Sequence, residues 1–391
     1  MKQLSLRRIA AGVGCAALLI GAWHGAALRK SPGATQPGTA EVVSLKEGGR
    51  ENRASASRAS TPVISVAPTA RPQPDLRVKR CQDDIATSMK ERTTELTHTG
   101  TARDLAVAAL FDVDMTADAD VLAGMARQSK RLAVLAKNNP HDRLLVWLSA
   151  LQCRREVQCD ERAAVEQALR ADADNMAVWL LAVERAMARD DETEADTMLQ
   201  QAAKAPRMDF YWREQGLLVT DAFSGLKVPS CESVRQQMGQ AVDVDGPVGP
   251  EEIVAIFATA SAVAMALPLG ATRLCPARGS IPTTRLPACR TIFARMAEGD
   301  EIVTQAIGIS RMSAWAQTPS ERVTWRERYR NHLWLQQESR KLSRPGHARM
   351  MLEHGEIPFL TAMLEEQGRW PAPAGWLPED HVLRARLEGS P

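Results

Sequence analysis

Tryptophan returns in this chain at a nearly constant interval. Trp147, Trp179 and Trp212 are 32 and 33 positions apart. The segments that hold them carry apolar side chains three, four and seven positions apart, which places those side chains on one face of an α-helix. In the first segment these side chains are Leu144, Trp147, Leu148 and Leu151. Short polar turns, NNPHD, DADN and RDDE, separate the helical segments, so the interval corresponds to one antiparallel helical hairpin with its connections.

The recurring tryptophans are predicted to fill the seams between successive hairpins. On this interpretation all three rings are largely buried, in helices that run parallel to one another, and replacing Trp179 with alanine costs roughly 3 to 5 kcal/mol of folding free energy. The alternative is that the rings line a ligand groove, so that the same substitution abolishes binding and leaves the melting temperature nearly unchanged. We favour burial because each tryptophan lies among Leu, Val or Phe rather than among charges.

The second helix of the hairpin that begins at Trp179 carries a further pattern. Ala195, Leu199 and Ala202 place a small, a large and a small side chain at helical spacing. Residues 140–226 thereby resemble the tetratricopeptide family, whose repeat of about 34 residues consists of two antiparallel helices. The resemblance implies an array of stacked hairpins with a concave binding surface. It carries over no individual binding residue, because the first helix and the neighbouring hairpins depart from the family pattern.

Helical spacing continues through most of the chain after Cys81, and alternating β-type patterns are scarce. We therefore predict an all-α repeat domain over residues 81–391. Residues 253–272 contain no charged side chain and are long enough for a membrane span. We favour a buried core helix for them, because the segment is rich in alanine and includes Pro268. A second span remains the alternative.

The N-terminus has the layout of a membrane anchor. Lys2, Arg7 and Arg8 precede a charge-free run over residues 9–28, and twenty helical residues rise roughly 30 Å, about the thickness of the hydrocarbon core. We predict a single-pass signal anchor within residues 1–30 of a bacterial inner membrane. The positive-inside rule places its N-terminus in the cytoplasm and the bulk of the chain in the periplasm.

A cleaved signal peptide is the alternative for this segment, which would make the protein a secreted one. Gly25 opens a small-residue stretch that suits cleavage. The run is longer than a typical signal core and ends at Arg29 and Lys30, which favours the anchor. Gly21 and Gly25 also form a G-x-x-x-G pair, which predicts a weak homodimer contact between two anchors.

Residues 31–80 read as a disordered, basic linker. They are rich in Pro, Gly, Ser and Ala and show no helical apolar period, so they cannot bury enough apolar surface to offset the entropy of ordering them. Residues 1–80 hold 13 Lys and Arg against 4 Asp and Glu, whereas the remaining chain holds 36 against 43. A body with net negative charge has no nucleic-acid footprint, so no nucleic-acid partner is expected.

Six cysteines remain when Cys15 of the apolar run is set aside, and an even number in an exported chain predicts disulfides. Spacing favours two local pairs, and elimination leaves a third. The candidate pairs are Cys153 with Cys159, Cys275 with Cys289, and Cys81 with Cys231. None of the six forms a C-x-x-C pair or has a histidine at a zinc-site spacing, so no metal site is predicted.

Motifs that carry chemistry are absent from the sequence. It has no H-E-x-x-H, no P-loop, no G-x-S-x-G and no dinucleotide fingerprint, so we predict no catalytic residue and no cofactor. The densest polar cluster comprises His347, Glu353, His354 and Glu356, and we interpret it as a solvated helix end. Glu232–Ser233 and Glu338–Ser339 each have the first two residues of a lytic transglycosylase motif without the rest, which favours chance pairs.

These observations predict a noncatalytic scaffold that is tethered to the membrane by residues 9–28 and binds a protein or peptide partner in the periplasm. The alternative is an exported hydrolase whose site is assembled from dispersed residues. A deep pocket lined by converging acids or histidines would favour the enzyme, and a shallow groove would favour the scaffold.

Overall fold

The computed structural model describes residues 76–111, 118–153, 159–226, 269–342 and 346–388 of the chain. Every regular element within these ranges is an α-helix, which confirms the prediction of an all-α body. The helices are α1 Leu76–Thr99, α2 Ala102–Phe111, α3 Asp118–Asn138, α4 Arg143–Cys153, α5 Glu161–Asp172, α6 Met176–Ala188, α7 Glu192–Lys204, α8 Trp212–Ala222, α9 Leu269–Leu274, α10 Leu286–Met296, α11 Ile302–Ala314, α12 Pro319–Leu342, α13 His347–His354, α14 Glu356–Glu366 and α15 His381–Glu388.

Helices that follow one another along the chain pack against one another from α1 to α7 and again from α10 to α12. The pairs α4–α5 and α6–α7 are consecutive hairpins that share one apolar core. Helix α4 lies at its centre, because every residue from Leu144 to Cys153 is buried. A helix that is apolar on all sides needs neighbours on all sides, and α3, α5 and α6 supply them.

Polar caps explain why these helices begin where they do. Asp142 accepts hydrogen bonds of 3.1 and 3.2 Å from two backbone N–H groups in the first turn of α4. Asn175, 33 residues later, caps α6 in the same way. Asp160 and Asp191 cap the second helix of each hairpin. Such caps satisfy N–H groups that have no partner within the helix, so the hairpin period coincides with a repeat of capping residues.

Two of the three tryptophans are buried as predicted and one is not. Trp147 is 1% exposed and Trp212 is 5% exposed. Trp179 is only half-buried, and its indole N–H donates a 2.7 Å hydrogen bond to the carbonyl of Ala173. The three rings are the fifth residue of α4, the fourth of α6 and the first of α8, so their places are not equivalent. The prediction that all three rings are largely buried is confirmed for Trp147 and Trp212, whereas Trp179 is partly buried and packs against the edge of the core.

The pattern on the second helices holds in one hairpin and changes in the other. Ala195, Leu199 and Ala202 of α7 are fully buried in the core shared with α6. In the preceding hairpin, Gln167 of α5 donates a 2.8 Å hydrogen bond from Nε2 to the carbonyl of Ala136 in α3. A hydrogen bond thus joins α5 to α3, in addition to the apolar contacts between the hairpins.

Helix α8 brings the chain back to its first helices. It packs against α2, six helices earlier, and against α13. Phe223, which follows α8, meets Phe111 edge to face with ring centroids 4.9 Å apart. Nε of Arg92 in α1 donates a 2.7 Å hydrogen bond to the carbonyl of Ala222. The path of the chain through the hairpins therefore curves so that α8 contacts α2.

Two disulfides join neighbouring segments. Cys153 at the end of α4 is bonded to Cys159 before α5, with Cα atoms 5.3 Å apart. Cys275 after α9 is bonded to Cys289 of α10, with Cα atoms 5.8 Å apart. Both are local pairs that the sequence spacing favours. Cys231 lies outside the described residues, so its pairing with Cys81 stays a prediction.

Helix α1 begins at Leu76, so its first five residues fall within the range predicted for the linker. The predicted linker therefore ends too late, because LRVKR contains no proline or glycine and continues directly into the helix. The rest of the linker and residues 9–28, with Gly21 and Gly25, lie outside the described residues. So do residues 253–268, and the last four residues of that apolar segment begin α9. No helix in the described ranges is long and apolar enough to cross a membrane.

Candidate functional site

A groove of about 650 Å³ lies where the end of α3, the α3–α4 turn and α5 meet. We call it the basic groove. Its lining residues are Lys137, Pro140, His141, Arg143, Gln167, Arg170 and Ala171. Three of them carry a positive charge at neutral pH, one is a histidine, and none is acidic.

The hairpin period brings two of these cations together. Lys137 is in the last turn of α3 and Arg170 is in the last turn of α5, 33 residues later. A cation in the last turn interacts favourably with the negative end of the helix dipole. Because both helices end at the same side of the structure, the two charges face one opening.

The cations of the basic groove are available to a ligand. Lys137, His141 and Arg170 are exposed, and they form no ion pair within the described part of the chain. The side chain of Arg143 is 57% exposed, and its Nε lies 3.6 Å from Asp172, a loose pairing that leaves most of its donors free.

Asp172 connects the groove to the next hairpin. Its carboxylate is almost fully buried and accepts hydrogen bonds of 2.5 Å from the hydroxyl of Tyr211 and from Nη2 of Arg207. Burial alone would raise the pKa of Asp172, but the hydrogen bonds from Tyr211 and Arg207 outweigh it and hold the pKa below its ordinary value. Burial and the same carboxylate raise the pKa of the Tyr211 hydroxyl. Asp172 is therefore a structural anion whose charge is already matched.

Asn175 fastens the same connection. It is fully buried, its Nδ2 donates a 2.8 Å hydrogen bond to the carbonyl of Asp209, and its Oδ1 accepts one of 2.9 Å from the N–H of Asp209. The backbones of Asn175 and Arg207 form an isolated parallel bridge beside it. These contacts hold the turn between the two hairpins in one position.

A second cavity, of about 320 Å³ between α7 and the start of α10, differs in its electrostatics. Arg285 lines it, and Asp196 and Glu192 bind its guanidinium at 2.5 and 2.8 Å. The guanidinium of this cavity is paired within the protein, whereas in the basic groove only Arg143 has an ion-pair partner among the described residues, at 3.6 Å.

The polar cluster on α13 and α14 does not form one site. The ring of His347 packs edge-on against Phe359, with centroids 5.2 Å apart, and Glu353 binds Arg349 at 2.8 Å. His354 is exposed at the end of α13, as expected for a solvated helix end. Glu356 departs from that prediction, because it is half-buried and turns towards the start of α11.

Three acids, Asp300, Glu301 and Glu356, lie close together where α11 and α14 begin. Glu301 is buried and caps α11, while Glu356 accepts a 2.9 Å hydrogen bond from the N–H of Ile302. Burial raises the pKa of Glu356 to about 7, and the neighbouring carboxylates add to the effect. The side chains of Glu301 and Glu356 thus accept hydrogen bonds from backbone N–H groups at the start of α11. No group of three or more potential ligands in the described ranges is arranged for a metal ion.

Replacing Glu356 with glutamine is expected to become more favourable as the pH rises. The folded carboxyl, with a pKa of about 7, holds a proton that the unfolded chain releases above its ordinary pKa of 4.5. Its stabilising contribution is therefore complete below 4.5 and is lost as the pH rises through 7. Glutamine keeps the acceptor for Ile302 without the charge, so the difference in unfolding free energy should shift towards the variant by up to roughly 3 kcal/mol between about pH 5 and pH 8.

Urea unfolding of both proteins across this pH range measures that difference. It must be taken between variant and parent, because burial lowers the pKa of His332 to about 4 and gives the parent an opposite slope at acidic pH. Glu365→Gln, an exposed change on the same helix, is the control and should show no such shift. A pH-independent difference for Glu356→Gln would show that this carboxyl is ionised throughout.

Glu338 is not placed for glycan cleavage. It is fully buried in α12, where Lys341 binds it at 2.8 Å and Arg369 pairs with it as well. Ser339 donates a hydrogen bond to the carbonyl of Gln336. A buried carboxylate between two cations cannot reach a polysaccharide.

Comparisons of the chain with protein-family models, with curated proteins and with solved structures found no match.

The basic groove was not predicted from the sequence, although the sequence contained a signal for it. Lys137 and Arg170 are separated by the same 33 residues as Asp142 and Asn175, so the hairpin period relates the groove cations just as it relates the helix caps.

Proposed function

We propose that this chain is a noncatalytic scaffold of tetratricopeptide-like hairpins, tethered to the bacterial inner membrane, that holds a protein or peptide partner in the periplasm. The observation that carries the proposal is the basic groove. It is an opening between the end of α3 and the hairpin α4–α5, lined by cations and by no carboxylate that could act as a general acid or base.

The remaining polar groups support binding rather than catalysis. Buried carboxylates in the described ranges are used structurally: Asp172 joins hairpins, Glu301 caps a helix and Glu338 is paired with cations. A hydrolase needs at least one acid or nucleophile that reaches solvent with a matched pKa. Glu356 has a pKa raised to about 7, but its carboxylate accepts a hydrogen bond from the N–H of Ile302 at the start of α11 and does not line the basic groove. The disulfides at Cys153 and Cys275 suit an oxidising compartment such as the periplasm.

Recovery of a partner is the direct test of the scaffold. The full-length protein is solubilised from membranes in mild detergent, and proteins that copurify after cross-linking are identified. We expect one or a few partners at reproducible stoichiometry. Hydrolysis of a cell-wall or peptide substrate by the purified chain, with no partner recovered, would replace the scaffold by an enzyme.

The topology is tested by fusing alkaline phosphatase after Asp75, just before α1. This enzyme is active only outside the cytoplasm, so the fusion should be active if residues 9–28 carry the chain across the membrane. A β-galactosidase fusion at the same position is the matched control and should be inactive. The reverse pair of results would place the body in the cytoplasm and remove the periplasmic assignment.

A further inference from the structure

Beside the basic groove, one face of α3 carries further cations. Arg127, Lys130, Val134 and Lys137 are three, four and three positions apart, so they share a face of the helix. All four are exposed, Val134 by 58%. We call this row and the groove together the basic surface. The helix-dipole explanation applies to Lys137 alone among them, since the others lie further from the helix end.

We propose that the basic surface binds an acidic segment of the partner protein, so this inference rests on the proposed scaffold function. The charge of the surface is opposite in sign to the net charge of residues 81–391, which hold 36 Lys and Arg against 43 Asp and Glu. Of the cations of this surface, Arg143 alone pairs with a described carboxylate, Asp172, and only loosely at 3.6 Å. In a body with net negative charge, such a local group of exposed cations attracts an acidic ligand and steers its approach.

The shape of the surface suits a peptide. The row from Arg127 to Lys137 is about 15 Å long at the helical rise, a distance that an extended chain covers with about five residues. The row ends at the groove, where Arg143 and Arg170 offer planar donors that can bind a carboxylate through two parallel hydrogen bonds. Alternate acidic side chains of one extended segment can therefore meet the row and the groove in turn.

A bilayer fits the same surface less well. Membrane-binding surfaces combine cations with several exposed apolar side chains that enter the headgroup region. Val134 is the one large apolar residue of the row that is exposed, and the groove beside it is concave. A flat lipid surface would leave the groove cations without contacts, whereas a peptide enters the groove.

Binding of a labelled acidic peptide to the full-length protein in nonionic detergent tests the proposal. The probe is a fluorescein-labelled peptide of about a dozen residues that alternates Glu and Ser, and its anisotropy is followed at low salt and at about 0.15 M salt. We expect saturable binding that weakens with salt, and no binding of the matching Gln and Ser peptide. Equal binding of both peptides would overturn the electrostatic proposal.

Two triple variants locate the site. Lys130→Glu, Lys137→Glu and Arg170→Glu reverse three exposed charges of the basic surface, and we expect them together to weaken binding about tenfold or more. Lys90→Glu, Arg278→Glu and Arg326→Glu make the same change in net charge at exposed positions elsewhere and should alter affinity by less than about twofold. Similar losses in both triples would show that net charge, not this surface, attracts the peptide. Circular dichroism verifies that each triple keeps its helices.

Competition distinguishes the peptide from a lipid headgroup. Unlabelled acidic peptide should displace the probe, and short-chain phosphatidylglycerol below its micelle concentration should do so only at far higher charge equivalents. Equal displacement would make the surface a headgroup site and overturn the proposal.

Partner recovery then distinguishes failure of this inference from failure of the scaffold. If the parent and the basic-surface triple recover the same partner equally, the scaffold stands and the acidic-segment proposal is wrong. If the peptide binds to the basic surface but neither protein recovers a partner, the surface is supported and the scaffold is not.

Discussion

Replacing Trp147 with alanine is expected to lower the free energy of unfolding by about 3 to 5 kcal/mol, as large-to-small changes in a closed core do. The ring is 1% exposed in the centre of α4. Its centroid lies 5.6 Å from that of Tyr211 and 6.4 Å from that of Phe210. Both partners precede α8, so the substitution leaves a cavity where two hairpins and the following connection meet.

Trp179→Ala is the matched control. Trp179 is half-buried at the edge of α6 and its indole is partly solvated, so we expect a loss of about 1 to 2 kcal/mol. This replaces the larger loss that the sequence alone predicts for Trp179. Urea unfolding under oxidising conditions, followed by circular dichroism at 222 nm, measures both variants. Equal losses, or a larger loss for Trp179, would contradict the placement of the two rings.

The difference between these tryptophans shows what the sequence could and could not determine. Periodicity identified the helices and the hairpin interval, because apolar spacing and polar turns are local properties. It could not determine which side of α6 faces the core, because the run from Val178 to Val183 is apolar at every position. Trp179 was assigned to the core by its interval from Trp147 and by its apolar neighbours, and both also fit a ring at the edge of the core.

The basic groove illustrates a second limit. Lys137 is in α3 and Arg170 is in α5, and their proximity depends on both helices ending at one side of the structure. Each cation alone is explained by the helix dipole, so neither indicated a site. Glu356 was misjudged for a similar reason: its hydrogen-bond partner, the N–H of Ile302 at the start of α11, is more than fifty residues away in sequence. Local spacing therefore predicted the hairpins and not the contacts between distant segments.

Gly308→Ala is expected to destabilise the protein by about 3 kcal/mol or more, although alanine is the better helix former by about 1 kcal/mol. Gly308 lies within α11 where that helix crosses the end of α10. A Cβ atom at this position would lie 2.2 Å from the backbone nitrogen of Ala297 and 2.7 Å from its Cα. Backbone atoms of a packed helix end cannot rotate away, so the whole contact between α10 and α11 must open.

Gly216→Ala provides the comparison for Gly308→Ala. Its Cβ would also come close to a neighbour, 2.3 Å from Cδ2 of Leu352, but that atom is the end of a flexible side chain. A rotamer change relieves this clash, so we expect a loss of about 1 kcal/mol or less. Thermal unfolding of both variants shows which one loses more stability. If Gly308→Ala were as stable as the parent, α10 and α11 would have to lie further apart than in this structure. A large loss of stability in Gly308→Ala but not in Gly216→Ala means that the close approach of two backbones requires glycine at position 308.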